Sequence, residues 1–269
     1  MKKSKFIRLR FLKAAALCMI LIIVSCKKDE EITTEEVCIE HFNYEDTTEE
    51  GPSNWENYCV SEGTNECGSV ERQSPIDIIG AVNDTHLSVL DIAYTTSTTD
   101  IVNNGHTIQF NYNGPASNLT FEGETYSLLQ FHFHADSEHT VEGSHHPLEA
   151  HLVHKSASGN LAVIGVFFEV GAQNDFLANF TAHLPQHEDD KYTDADLNYT
   201  ASSLVDLNSG YYNYSGSLTT PPCSEIVNWI VLDQPMEATQ AQIDAFSSLL
   251  HHNYRPVQPL NGRIIKHKQ

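Results

Sequence analysis

Positive charge is scarce in this 269-residue chain: 15 Lys+Arg stand against 36 Asp+Glu, a formal charge of −21. A phosphate backbone needs a basic surface, so nucleic acid is excluded as a partner. No glycine period marks a fibre, and a 40% hydrophobic content is too high for a disordered chain. Low-complexity segments and internal repeats are absent, and from about His41 onward the composition does not break. Helical patterns are few, with Gln173–His183 and Thr239–His251 the best of them. What remains is an acidic, well-solvated single domain suited to a small or neutral ligand.

The N-terminus has the opposite bias. Lys2, Lys3, Lys5, Arg8, Arg10 and Lys13 precede the apolar run Ala14–Val24, which ends in Ser25 and Cys26. A basic head followed by a short apolar stretch reads as a secretory signal over residues 1–25, too short for a comfortable bilayer span. Cys26 after Ile-Val-Ser resembles a bacterial lipobox cysteine, so we expect lipidation there and anchoring at the cell envelope. Residues 26–40 read as a flexible acidic tether and residues 41–269 as the domain. Removing 1–25 takes away six positive charges and no negative one, moving the formal charge from −21 to −27. Such a particle is expected to be a monomer or weak dimer. Cys38, Cys59, Cys67 and Cys223 then remain, and an even number in an oxidising compartment allows two disulfides by any of three pairings.

Strand patterns dominate the middle of the chain. Gln130-Phe131-His132-Phe133-His134 alternates, as does Glu149-Ala150-His151-Leu152-Val153, and Leu161–Val170 is a continuous apolar run. Asn103-Asn104-Gly105-His106 has hairpin-turn chemistry between Ile101–Val102 and Thr107–Tyr112. Ser224–Leu232 is a further strand candidate. The pattern reads as a sheet-dominated domain with short peripheral helices and long loops.

Fifteen histidines make the next question where they point. Residues two apart on a strand share a face, so His132 and His134 project together with Gln130 beside them. On the second strand Glu149, His151 and Val153 share a face. If the strands are neighbours, His132, His134 and His151 converge. Three neutral imidazoles suit zinc at about 2.0–2.1 Å, with a fourth tetrahedral position left for water. Gln130 and Glu149 lie where second acceptors for the ring N–H groups belong. The alternative is a polar face of solvent-exposed histidines. His154 points the other way and reads as structural.

Several motifs extend this pattern. Ser74-Pro75-Ile76-Asp77, Asn103-Asn104-Gly105-His106, Gln130–His134, Ser137-Glu138-His139-Thr140-Val141, Glu149–His154 and Gly216-Ser217-Leu218-Thr219-Thr220-Pro221-Pro222 occur in that order. With Asn253-Tyr254-Arg255-Pro256 and Gln258-Pro259-Leu260-Asn261-Gly262-Arg263, they resemble the α-class carbonic anhydrases from about His41 to Lys266. The resemblance implies a mainly β (α+β) fold on a large central, twisted, mostly antiparallel sheet, with zinc on His132, His134 and His151. It makes Gln130, Glu149 and the Asn253 carbonyl acceptors for those rings, and His139 with Tyr214 a supporting pair. Thr219 resembles the gatekeeper that accepts from zinc-bound hydroxide and donates to Glu138. His106 resembles a proton shuttle, with Tyr44, Asn104 and Gln109 near its water path. Val153, Val163, Leu218, Thr220, Val227 and Trp229 match the pocket that holds CO₂. Cys67 and Cys223 match a disulfide of secreted members, which leaves Cys38 and Cys59 as a second pair.

There are departures from the family pattern: Phe42-Asn43 replaces Trp-Gly, Ala135 replaces a tryptophan, and Gln109 replaces an asparagine. The implied activity is reversible hydration of CO₂ to bicarbonate, with ester hydrolysis as a possible side reaction. Two other readings compete. His132-x-His134-x-x-x-Glu138 matches the first half of a cupin metal site, which would make Glu138 a ligand, but no second cupin motif follows. An acatalytic binding protein on the same fold would have no need of His132, His134, His151, Glu138 and Thr219 together.

Overall fold

Alternation decides the architecture. The computed structural model describes residues 38–61 and 63–269. The expected leader and the expected lipidation at Cys26 fall outside the described residues. Ten strands form the main path of a large mixed sheet: β1 Val82–Asn83, β2 Ser97–Asn103, β3 Ile108–Asn111, β4 Glu124–His134, β5 Leu148–Ser156, β6 Leu161–Val170, β7 Lys191–Tyr199, β8 Tyr211–Gly216, β9 Val227–Leu232 and β10 Lys266–Lys268. Their spatial order is β7-β2-β3-β4-β5-β6-β9-β8-β10-β1. Neighbours run antiparallel except at β6–β9 and β10–β1. The mainly β, mostly antiparallel architecture expected from the sequence is the one observed.

β6 reads as an unbroken apolar run because its first eight residues are buried on both faces, as a strand with a parallel neighbour inside a covered sheet must be. Of the two helix candidates, Thr239–His251 forms as α2 (Gln240–Leu250). Thr239 caps it in a capping box with Gln242, and His251 closes it in the left-handed conformation. The other breaks: α1 covers only Asp175–Ala178, capped by Asn174, and a short 3-10 turn follows at Thr181–His183. Its apolar residues Phe176, Leu177 and Phe180 still enter the core. Burial is therefore secured without a long helix.

The largest core lies on the face of β3–β6 that carries the phenylalanines. Phe110 stacks on Phe131 at 4.7 Å, and Phe133 meets Phe246 of α2 at 4.5 Å. A second core on the other face joins Ile76, Val163, Tyr214, Val227 and Trp229, with Val153 and Leu218 packed against it. A third, small cluster holds Trp55, Cys67 and Cys223 with Phe42 and Tyr44.

Both disulfides are present, Cys67–Cys223 and Cys38–Cys59. The second, together with a bridge between Ile39 and Tyr58, brings Cys38–Glu40 into the compact unit Cys38–Gln269, although these residues had been expected in the tether.

Candidate metal centre and proton path

β4 and β5 pair so that His151 lies directly opposite His132, and Glu149 opposite His134. Strand parity then turns all three histidines toward one point. One ring nitrogen from each falls within 4.8 Å of the others.

Hydrogen bonds decide which nitrogen that is. His132 Nδ1 lies 2.9 Å from Gln130 Oε1, and His134 Nδ1 lies 2.7 Å from the Asn253 carbonyl. His151 Nε2 lies 2.9 Å from Glu149 Oε1. Each partner only accepts, so these nitrogens carry the protons. Nε2 of His132, Nε2 of His134 and Nδ1 of His151 keep their lone pairs. His134 Nε2 is buried without a hydrogen-bond partner, a costly state for a polar atom and the signature of a position meant for a metal. Burial first, and then the neighbouring histidines, push the His132 pKa well below its ordinary value; burial also lowers His134. Both rings therefore stay neutral, as metal ligands must. The donor set fits zinc, with its preference for tetrahedral imidazole nitrogen.

The acceptors are anchored in turn. Glu149 takes the His139 backbone N–H on Oε2 at 2.9 Å and the His139 ring on Oε1 at 2.8 Å. Burial alone would raise the Glu149 pKa, but His139 and His151 outweigh it and hold the carboxyl well below its usual range. His139 Nε2 reaches the Tyr214 hydroxyl at 2.7 Å, and that hydroxyl bonds Ser74 Oγ at 3.0 Å. The expected His139–Tyr214 pair is thus in place, extended by Ser74 to the Ser217 backbone N–H at 3.0 Å.

Glu138 is fully buried, and its Oε1 accepts from the Arg255 backbone N–H at 2.9 Å. Its Oε2, 3.5 Å from His134 Nε2, has no hydrogen-bond partner among the described residues. The expected Thr219 hydroxyl bond to Glu138 is therefore not formed, although Thr219 is itself buried. Arg255 also donates from its side chain to Gln73 Oε1, the Ser74 carbonyl and the Cys67 carbonyl, with the guanidinium 5.7 Å from the Trp55 ring. No role was read for Ser74 or Arg255 from the sequence. Both lie in quoted motifs, but their partners are more than a hundred residues away.

A pocket of about 160 Å³ opens over the histidines, lined by His132, His134, Tyr44, Asn104, His106, Gln109 and Thr220. Burial, then Glu138, raises the Tyr44 hydroxyl well above its ordinary value, keeping it a neutral donor. His106 sits on the tight turn between β2 and β3, held by its backbone N–H to Asn104 Oδ1 at 3.0 Å. Its ring stacks on Phe42 at 4.0 Å with the planes 10° apart; that contact was not foreseen, although Phe42 had been noted as a departure. Val153, Val163, Leu218, Val227 and Trp229 gather in the second core, whose Trp229 ring centre is 4.8 Å from that of His151.

Comparison with known proteins agrees with this geometry. The family model for eukaryotic-type carbonic anhydrase matches residues 50–269. A carbonic anhydrase of Pectobacterium atrosepticum is 43% identical over 228 residues, covering 84% of this chain and 91% of its own. A carbonic anhydrase from an active hydrothermal vent chimney superposes with a TM-score of 0.78 at 40% identity, covering 85% of this chain and all of its own. The α-carbonic anhydrase of Thermovibrio ammonificans, solved with the inhibitor sulfanilamide, gives 0.78 at 39% identity, with 86% and 100% covered. These matches set aside the cupin alternative: the chain belongs to the alpha, or eukaryotic-type, carbonic anhydrases and is an enzyme of that class.

Proposed function

We propose that this carbonic anhydrase hydrates CO₂ at a zinc ion held by Nε2 of His132, Nε2 of His134 and Nδ1 of His151. The observation that carries the reading is the set of three inward lone pairs, each fixed by an acceptor on the opposite ring nitrogen. Zinc bound there supplies a Lewis acid that brings the pKa of water to about 7, the established value for carbonic anhydrases themselves. The chain's own residues do the rest. Val153, Val163, Leu218, Val227 and Trp229 hold CO₂ on an apolar wall beside His151, and Thr220 lines the mouth. Glu138 is fixed through Oε1 with Oε2 left toward His134, and Thr219, whose bond to Glu138 is not formed here, is the hydroxyl we assign to orienting the attacking oxygen. His106 carries the released proton from the pocket to buffer, past Tyr44, Asn104 and Gln109. An imidazole is suited to that relay near neutral pH. The same nucleophile would hydrolyse activated esters slowly. Two disulfides fit an oxidising compartment, and we place the enzyme at the cell envelope, anchored by lipid on Cys26.

The test is metal analysis of the purified protein with a CO₂-hydration assay before and after chelation. We expect one zinc per chain and activity that is lost on chelation and restored by zinc; full activity without zinc overturns the reading. For proton transfer, His106→Ala should lower kcat at least about tenfold and leave kcat/KM unchanged, with rescue by imidazole buffers. Thr219→Ala should lower kcat/KM and resist rescue.

A further inference from the structure

His106 stands on the wall between two cavities. The inner one is the pocket over His132 and His134; the outer, of about 400 Å³, is lined by His41, Glu45, Gly105, Glu188 and His251 among others. Phe42, Tyr44, His106 and Thr107 line both. The titratable groups facing the His106 region are His41, Tyr44 and Glu45 from the N-terminal segment, Glu188 from the loop before β7, and His251 from the end of α2. His132 and His134 face it across the inner pocket.

Glu188 is exposed, yet its loop is fastened to the turn that carries His106. The Asn103 backbone N–H donates to the Asp190 carbonyl at 3.1 Å, and the Asp189 N–H returns to the Asn103 carbonyl at 2.8 Å. Asn103 Nδ2 adds a bond to the Pro185 carbonyl at 3.3 Å, and Asn103 Oδ1 accepts from the Gly105 N–H at 3.1 Å. Gly105 has φ +80°, and a Cβ there would lie 2.7 Å from Glu188 Oε1. The carboxylate therefore rests in the notch left by the missing side chain, one residue before His106.

We propose that Glu188 is a positioning residue for proton release: its carboxylate, seated at Gly105, stabilises the imidazolium that His106 forms and biases that charge toward the outer cavity. This rests on the shuttle reading of His106. One proton reaches the ring from the inner pocket, and one leaves it for a buffer base in the outer cavity. Glu188 forms no covalent bond and contributes only through its field, across partly solvated space where salt screens it. Burial lowers the His106 pKa, Glu188 opposes that, and His41 adds to the lowering, in keeping with this role.

The experiment compares the parent, Glu188→Gln, Glu188→Asp and a control, Glu71→Gln, whose carboxylate lines neither cavity. NMR follows the His106 ring titration at low ionic strength and at about 1 M salt, where the screening length falls to about 3 Å. Stopped-flow assays of the metal-loaded enzyme give kcat and kcat/KM at low buffer. Glu188→Gln should move the His106 midpoint to lower pH, with the difference shrinking in salt. It should also lower kcat about two- to threefold at constant kcat/KM. Glu188→Asp should recover part of both changes, and Glu71→Gln should leave both alone. An unmoved midpoint overturns the electrostatic coupling of Glu188 to His106 whatever His106 does. A moved midpoint with unchanged kcat, or with kcat/KM falling alongside, overturns the proton-release role. The shuttle reading fails separately, if His106→Ala leaves kcat intact, and the proposal falls with it.

Discussion

β4 and β5 present two faces built from alternate residues of the same stretches, and the faces obey different rules. Phe131, Phe133, Ala150 and Leu152 face the larger core, where carbon meets carbon and neighbouring rings share the burial. Gln130, His132, His134, Glu149 and His151 face the histidine pocket, where one nitrogen of each metal-facing ring is tied to a specific acceptor and the other is left free. An apolar face loses stability in proportion to what is removed, because transfer and packing scale with area and volume. A buried polar face fails by units, because an abandoned partner costs more than the bond contributed. The comparison teaches that activity and stability are written on opposite sides of one pair of strands.

The largest expected effect tests the polar side. His151→Ala should abolish tight zinc binding and CO₂ hydration, since two imidazoles leave too few ligands for a stable open site. Metal content and turnover should fall together while the fold persists by circular dichroism; retained activity would break the contrast. On the apolar side, Phe133→Ala should cost about 3–5 kcal/mol in denaturant unfolding. Molecules that remain folded should keep kcat/KM close to the parent value. A selective loss of kcat/KM would mean that the two faces are coupled.

The phenylalanine side also buries a histidine. His154 is fully buried, 2.5 Å by Nε2 from the Tyr94 hydroxyl, and burial lowers its pKa to about 4. Above the unfolded value near 6.5 the ring is neutral in both states and its share of stability is complete. As pH falls from there through about 4, the unfolded chain takes up the proton first and stability drains away. The accumulated loss is roughly 3 kcal/mol. Urea midpoints followed over that window should fall less steeply in His154→Gln, and equal slopes would remove His154 from the account. The smallest effect returns to the metal face: Gln130→Leu should weaken zinc binding about tenfold by releasing the His132 ring. Competition with a chelator measures it, and unchanged affinity would show that packing alone orients that ring.

How much of this was legible in the sequence follows from the same alternation. A period of two, with histidine on one phase and phenylalanine on the other, identifies β4 and β5 and puts His132 beside His134, but the pairing that sets His151 opposite His132 belongs to the fold. α2 is legible from its helical pattern over Thr239–His251, and the structure adds the capping box of Thr239 and Gln242. β7 is not, because Lys191–Tyr199 is a polar edge strand with Asp194 and Asp196, bulged between Asp194 and Asn198. Charges and bulges that protect an edge erase the strand signal. Glu138 could be named but not aimed, since the N–H that fixes it belongs to Arg255. Glu188 carried no local signal at all: its place depends on a glycine some eighty residues earlier.

The contacts of Asn253 and Arg255 also set an order of events in time. The two strands that carry the three histidines are complete in the chain by Ser156. The carbonyl that fixes the His134 tautomer and the N–H that fixes Glu138 belong to residues 253 and 255. At about 5–20 residues per second, roughly a hundred residues of synthesis separate the ligands from their clasp. During that interval the emerging chain holds three histidines with nothing at 253 to orient the middle one. Metal capture in the proposed geometry would therefore wait for residues 253 and 255, and an ion bound with the His134 ring fixed would report that this segment has docked on the histidine strands.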